Sequence, residues 1–214
     1  MSFPTTGPLD DFNRANEGPP PSANWSFPAF PGDDGLKIIT NVCGPNGASF
    51  SNSYWNTPTP SADCEAYAIV STVTANGHRM WIYARFASPG TSGVDGYEVG
   101  ITKQAGTDEV RLHRVDNGSL TQLGATISQE FSGGDGFGIE AIGSTIKAYY
   151  GSGGTATTEI GSRTDSTYSA AGYIGLEIES TAGRWNDFGG GSGTAAVAAD
   201  VSKFPKTIMR EAVR

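Results

Sequence analysis

The chain is poor in sulfur, poor in charge and without a long apolar run. It holds only two cysteines, Cys43 and Cys64, and two histidines, His78 and His113, in 214 residues, with no close ligand spacing, so a zinc-type site is not expected. No apolar stretch approaches the ~20 residues that a membrane-spanning helix needs, which argues against a membrane partner. The opening Met1-Ser2-Phe3-Pro4-Thr5-Thr6 has neither a basic region nor an apolar run, so no signal peptide is expected there. Without an export signal, the two cysteines read as buried thiols. The alternative, a disulfide between neighbouring strands, would add roughly 3 kcal/mol. A basic surplus is missing too. Lys and Arg number 14 against 22 Asp and Glu, giving a formal charge of −8 and a pI near 4.7. Nucleic acid is therefore not an expected partner of the main body, because phosphate binding needs basic surface.

What the chain does hold is turn formers and short apolar runs. Gly at 30, Pro at 12, aromatics at 10% and charged residues at only 17% fit tight turns between pleated strands. The 37% of hydrophobic residues are scattered in short runs rather than helical stripes, and the length suits one all-β domain or one domain plus an arm. Strands are expected over residues 36–42, 66–73, 80–86, 96–102, 109–115, 120–127, 136–142, 145–150 and 173–179. Asn76-Gly77 between two such runs predicts a hairpin, Asp116-Asn117-Gly118 a second, and Gly143-Ser144 a third. In 173–179, Ile174, Leu176 and Ile178 alternate inward with Glu177 and Glu179 outward. About ten short strands with turn signals roughly every 8–12 residues make a sandwich.

Both ends carry aromatics on Asn/Asp-rich segments: D-D-F-N-R-A-N at 10–16 with Asn24-Trp25, and R-W-N-D-F at 184–188. Together with V-R-L-H-R-V-D-N-G-S-L-T-Q-L-G at 110–124, G-I-E-A-I-G-S-T-I-K-A-Y-Y at 138–150 and G-Y-I-G-L-E-I at 172–178, the pattern resembles the LamG-like, concanavalin A-like jelly rolls. Such domains occur in bacteriophage virion proteins and in extracellular carbohydrate-active proteins. The resemblance implies a two-sheet antiparallel jelly-roll sandwich over residues 9–189, with first and last strands adjacent. Residues 1–8 are then an N-terminal extension. Fold alone leaves function open, because function resides in sites.

Candidate chemistry is sparse. Glu177 and Glu179 share a strand face about 6.6 Å apart in rise, a spacing that two glycosidase carboxylates could use. The related laminarinase-type enzymes resemble E-x-D-x-E; here no Asp separates the glutamates and Thr181 stands in the third position, so surface glutamates are expected. No serine lies in G-x-S-x-G, and His78 and His113 read as surface residues. For glycan binding, Trp55, Trp81 and Tyr83 are the candidates. Tyr54, Tyr97, Tyr149 and Tyr150 stand behind them, with core filling as the alternative use of every one of these rings. Asp33, Asp34 and Asp63 offer hard oxygens for calcium, yet no D-x-D-x-D-G loop frames them. Gly133-Gly134-Asp135-Gly136 leads into a strand and is a turn, not a phosphate cradle. No metal, cofactor or catalytic residue is expected.

Past Phe188 the composition changes. Gly189-Gly190-Gly191-Ser192-Gly193 reads as a flexible linker, so the linker and C-terminal arm take residues 190–214. The first 193 residues carry −10 and the remainder +2. Phe204, Lys206, Ile208, Met209, Arg210 and Arg214 suggest an arm that docks on a partner, the alternative being a disordered tail. The combined expectation is a non-enzymatic phage virion protein, a capsid decoration or minor capsid protein made in the host cytoplasm. It would be anchored by this arm to the major capsid or other virion proteins, as a homo-oligomer on the particle. Its jelly roll would add weak adhesion to host-surface glycans. The alternatives are a carbohydrate-binding module of a tail fibre or a free lectin, and then a glycoside hydrolase.

Overall fold

The computed structural model describes residues 2–194, and all regular structure among them is β. Two eight-stranded antiparallel sheets face each other. The back sheet runs β14 (Thr158–Thr164), β13 (Thr145–Gly151), β12 (Gly136–Ile142), β6 (Cys64–Thr72), β16 (Arg184–Ser192), β4 (Val42–Pro45) and β3 (Leu36–Ile39), with β1 (Pro8–Asp10) also paired to β16. The front sheet runs β10 (Ser119–Gln122), β9 (Glu109–Asp116), β8 (Asp95–Thr102), β7 (Arg79–Ala87), β15 (Tyr173–Glu179), β5 (Phe50–Trp55) and β2 (Trp25–Ser26), with β11 (Ile127–Ser128) on β9. Alternate residues of each strand point between the sheets, as the two-residue period requires. Ile174, Leu176 and Ile178 meet Ala66, Ala68 and Val70 in one continuous core.

The chain ends close on each other. Pro8 pairs with Gly189 and Asp10 with Phe188. Asp10 is the hub of this seam: its carboxylate accepts from the Phe12 amide at 2.9 Å, the Trp25 indole at 2.9 Å and both Arg14 nitrogens at 2.6 and 3.0 Å. Those donors hold its carboxyl below the usual range against the opposing pull of burial. Phe12, Trp25, Trp185 and Phe188 are all buried, with the Trp25 and Phe188 rings 4.8 Å apart.

Several local expectations change. The run 36–42 is a hairpin rather than one strand, because Thr40 and Asn41 both take positive φ (52° and 63°) and turn β3 into β4. Asn76-Gly77 is not a hairpin: β6 lies in the back sheet and β7 in the front one, so the turn carries the chain across the sandwich. The hairpins at Asp116-Asn117-Gly118 and Gly143-Ser144 form. The flexible linker expected at 189–193 is instead largely strand. Gly189, Gly190 and Gly191 pair with Tyr67, Ala66 and Glu65 in the centre of the back sheet. A Cβ on Gly189 would collide with the Tyr67 phenol, so the glycines admit a close neighbour rather than confer freedom. Nor do residues 3–6 hang free. Phe3 stacks on Tyr149 at 3.9 Å, and the Thr5 and Thr6 amides donate to the buried Glu65 at 2.6 and 2.7 Å. Cys43 and Cys64 are free, fully buried thiols, and burial pushes the Cys64 thiol up to about 11. The docking-arm residues Phe204, Lys206, Ile208, Met209, Arg210 and Arg214 lie outside the described residues.

Candidate functional site

The outer face of the front sheet is not bare. Register lays out its side chains in rows across the sheet. One row is Arg111, Gly100, Trp81, Glu177 and Asn52; the next is His113, Glu98, Tyr83, Gly175 and Tyr54. The loop between β2 and β3 folds over part of this face. Its Ala29 amide donates to Asn52 Oδ1 at 2.6 Å, and Phe30 meets the Tyr83 and Phe86 rings edge-on at 5.9 and 5.6 Å. A second apolar cluster results, with Trp81, Tyr83, Phe86, Val94 and Val115 buried outside the main core.

Where that cover stops, a groove of about 440 Å³ remains, between the Phe30-Pro31 loop, Phe50, Trp81 and the Asn117–Leu120 turn. Leu120 on its rim is 45% exposed, whereas Trp81 is 3% exposed and offers the groove little of its surface. The indole fits there because β8 carries Gly100 opposite it, where any Cβ would collide with the ring. Polar groups enter from Asp33, Arg79, Glu98 and Glu177.

The carboxyls sit in a low-dielectric floor. Glu177 is 5% exposed and Glu98 is 2% exposed. Burial, reinforced by its mutual repulsion with Glu98, drives the Glu177 carboxyl well above the usual range, and burial also raises Glu98 and Asp33. The Tyr83 hydroxyl donates to Glu177 Oε2, and burial disfavours ionising that phenol as well. Glu98 Oε1 meets His113 Nδ1 at 3.1 Å, and Asn52 Nδ2 donates to Asp33 Oδ2 at 2.7 Å. The floor is thus a hydrogen-bonded network of buried carboxyl, phenol and amide groups beneath an aromatic wall, able to exchange hydrogen bonds with a ligand's hydroxyls.

The expected site residues part company. Trp81 lines the groove. Tyr83 lies beneath it, stacked on Phe86 at 4.2 Å, and supports the floor. Trp55 points into the main core, edge-on to Trp25 at 5.5 Å, and lines a separate cleft of about 80 Å³, far below the ~300 Å³ of ordinary ligand pockets. Tyr54 packs on Tyr173, Tyr150 on Phe131, and Tyr97 donates its hydroxyl to Asp165 at 2.7 Å. Glu177 is not the surface glutamate its alternation suggested, because the second apolar cluster covers that face. Its groove partner is Glu98, whereas Glu179 stands 3.7 Å from the half-exposed His78. Asp63 is remote, just before β6, where it meets the buried Arg85 and accepts from the Gly143 amide. Asp33 hydrogen-bonds Asn52, and among the described residues no group of three or more His, Cys, Asp or Glu is placed to hold a metal. Sequence reasoning passed over Arg79, Glu98 and Asn52. The available signal for Glu98 was its place between the apolar Tyr97 and Val99 on a central strand.

No family model matches the chain, and the search of curated proteins returned no match. Solved structures do resemble it. One is the carbohydrate binding module CBM66 from Bacillus subtilis, at 16% identity, covering 79% of this chain and 96% of that one, with a TM-score of 0.59. The exoplasmic/lumenal domain of VIP36 in a Ca2+/Man2-bound form matches at 11% identity, 92% and 91% coverage and a TM-score of 0.62. A xylan beta-1,4-xylosidase from Bacillus halodurans C-125 matches at 12% identity with a TM-score of 0.57; 87% of this chain is covered but only 39% of that one. At these identities the likeness establishes the fold, a lectin-like jelly roll.

Proposed function

We propose that this chain is a carbohydrate-binding jelly roll whose ligand occupies the groove on the outer face of the front sheet. One observation carries the reading. A groove of about 440 Å³ combines apolar walls with a few converging polar groups, the composition that orients a small polar ligand by hydrogen bonds while its ring faces find apolar contact. The carbohydrate-binding module and the mannose-bound lectin-like domain among the structural neighbours support it. Display on a phage particle concerns the arm beyond the described residues, and the groove reading stands independently of it.

The test is a glycan array probed with the parent and two variants. The parent should bind a defined set of glycans. Trp81→Ala, which removes the wall, and Leu120→Glu, which alters an exposed rim position without touching the core, should each weaken binding about tenfold, or about 1.4 kcal/mol. Absence of binding by the parent defeats the proposal. The buried pair Glu98 and Glu177 favours a second reading, glycoside hydrolysis by two carboxyls in one groove. Assaying the bound glycans for new reducing ends decides it: release abolished by Glu177→Gln supports hydrolysis, and no release rejects it.

A further inference from the structure

Arg79 is unusual among the arginines. Arg14, Arg85, Arg111 and Arg114 each pair with a carboxylate, and Arg163 and Arg184 donate to backbone carbonyls at 2.5–2.8 Å. Among the described residues, Arg79 has no ion pair, and its Nε is buried with no hydrogen-bond partner. It opens β7 at the groove, with its guanidinium carbon 5.7 Å from the Trp81 ring centroid. That cation–π contact places the fork beside the ring without neutralising its charge.

We infer that the groove selects glycans bearing an anionic group, a sugar carboxylate or a sulfate ester, with Arg79 as the ion-pair donor. This rests on the glycan-binding reading above. A guanidinium presents two parallel N–H groups to a carboxylate or sulfate, an arrangement no neutral hydroxyl reproduces. No acid facing the groove lies within ion-pair distance of the fork, although the Arg79 charge acts on Glu98 across it. Glu98 is engaged by His113, Glu177 by Tyr83, and Asp33 by Asn52. On the neighbouring positions, Glu179 faces His78 and Glu109 is bonded to Arg111. Burial disfavours the anionic forms of Glu98 and Glu177, which lessens their repulsion of an incoming anion. A formal charge of −8 also works against indiscriminate attraction of polyanions, so any preference for them must come from a local site.

The experiment measures binding of the full chain to two matched pairs of polymers, polygalacturonate against its methyl-esterified form and dextran sulfate against dextran. Parent, Arg79→Gln and Arg79→Lys are compared, with thermal melts to establish folding. The parent should prefer the anionic member of at least one pair by tenfold or more, and the pair that responds tells carboxylate from sulfate. Arg79→Gln should erase the preference and Arg79→Lys should keep part of it. If Arg79→Gln does not fold, the loss of bidentate geometry in Arg79→Lys carries the comparison. Equal binding within both pairs, or a preference that survives Arg79→Gln, overturns the inference while leaving glycan binding intact. Failure to bind any of the four polymers or any arrayed glycan overturns both.

Discussion

Glu177 shows how a covered sheet face changes the meaning of a charged side chain. Its folded-state carboxyl titrates well above its ordinary value near 4.5, because burial and the nearby Glu98 both disfavour the anion. The unfolded chain releases that proton near pH 4.5 and the folded chain only at higher pH, so over that interval the folded state holds more protons. Stability therefore falls as pH rises from about 4.5 through the raised value. Asp165, held down to about 2 with the Arg114 guanidinium and the Thr167 amide among its donors, acts oppositely. It contributes stability above its unfolded value that disappears as pH falls toward 2. The melting temperature should accordingly be higher at pH 5 than at pH 8, and Glu177→Gln, which cannot ionise, should flatten that difference. A parent protein whose melting temperature rises from pH 5 to pH 8 would contradict the buried, neutral-leaning carboxyl. The inward-outward alternation of Ile174–Glu179 was plain in the sequence. That the outward glutamate lies under a second apolar cluster was not, since the covering loop comes from residues more than a hundred positions earlier.

Among the strands, β16 carries the largest reinterpretation. A glycine run reads as a flexible linker when only composition is considered, yet here it pairs along β6 and makes room for Tyr67 and the strapped N-terminal segment. The two readings predict different outcomes for alanine. Gly189→Ala forces a methyl into the Tyr67 ring and should cost about 1–3 kcal/mol, the usual penalty of overpacking. Gly193→Ala, where a Cβ meets only ordinary contacts at 3.5 Å and beyond, should be nearly neutral. Chemical denaturation of both variants measures this, and equal tolerance would restore the linker. Strands with clean alternation, such as β15, or flanked by strong turns, such as β12 and β13, were legible. β5 was not, because Ser51, Asn52 and Ser53 are polar and yet buried, satisfying their groups on Gly47, Ala29 and Leu36 amides. The Asn76-Gly77 turn was recognisable, but whether a turn joins neighbours in one sheet or crosses between two depends on which edges are already occupied.

The assembled sandwich gives its two faces different fates. On the outer back face the N-terminal residues cover Tyr67 and Tyr149. The outer front face is half covered, leaving the groove where Trp81, Arg79, Glu98 and Glu177 converge from three central strands. The jelly-roll class and the meeting of its ends followed from the aromatic, Asn/Asp-rich segments near residues 12 and 185. The groove did not, because its residues are scattered over about 150 positions and only the register brings them into adjacent rows. The most direct measurement is a two-dimensional amide NMR titration of the full chain with oligomers of galacturonate, xylose and mannose. Glycan binding in this groove predicts saturable shifts centred on the residues that line it, in the Phe30–Asp33 loop, Phe50, Arg79–Ala87, Asp95–Thr102, the Asn117–Leu120 turn and Glu177. Shifts confined to the back sheet or the chain-end seam, or no shifts with any of the three, would contradict it.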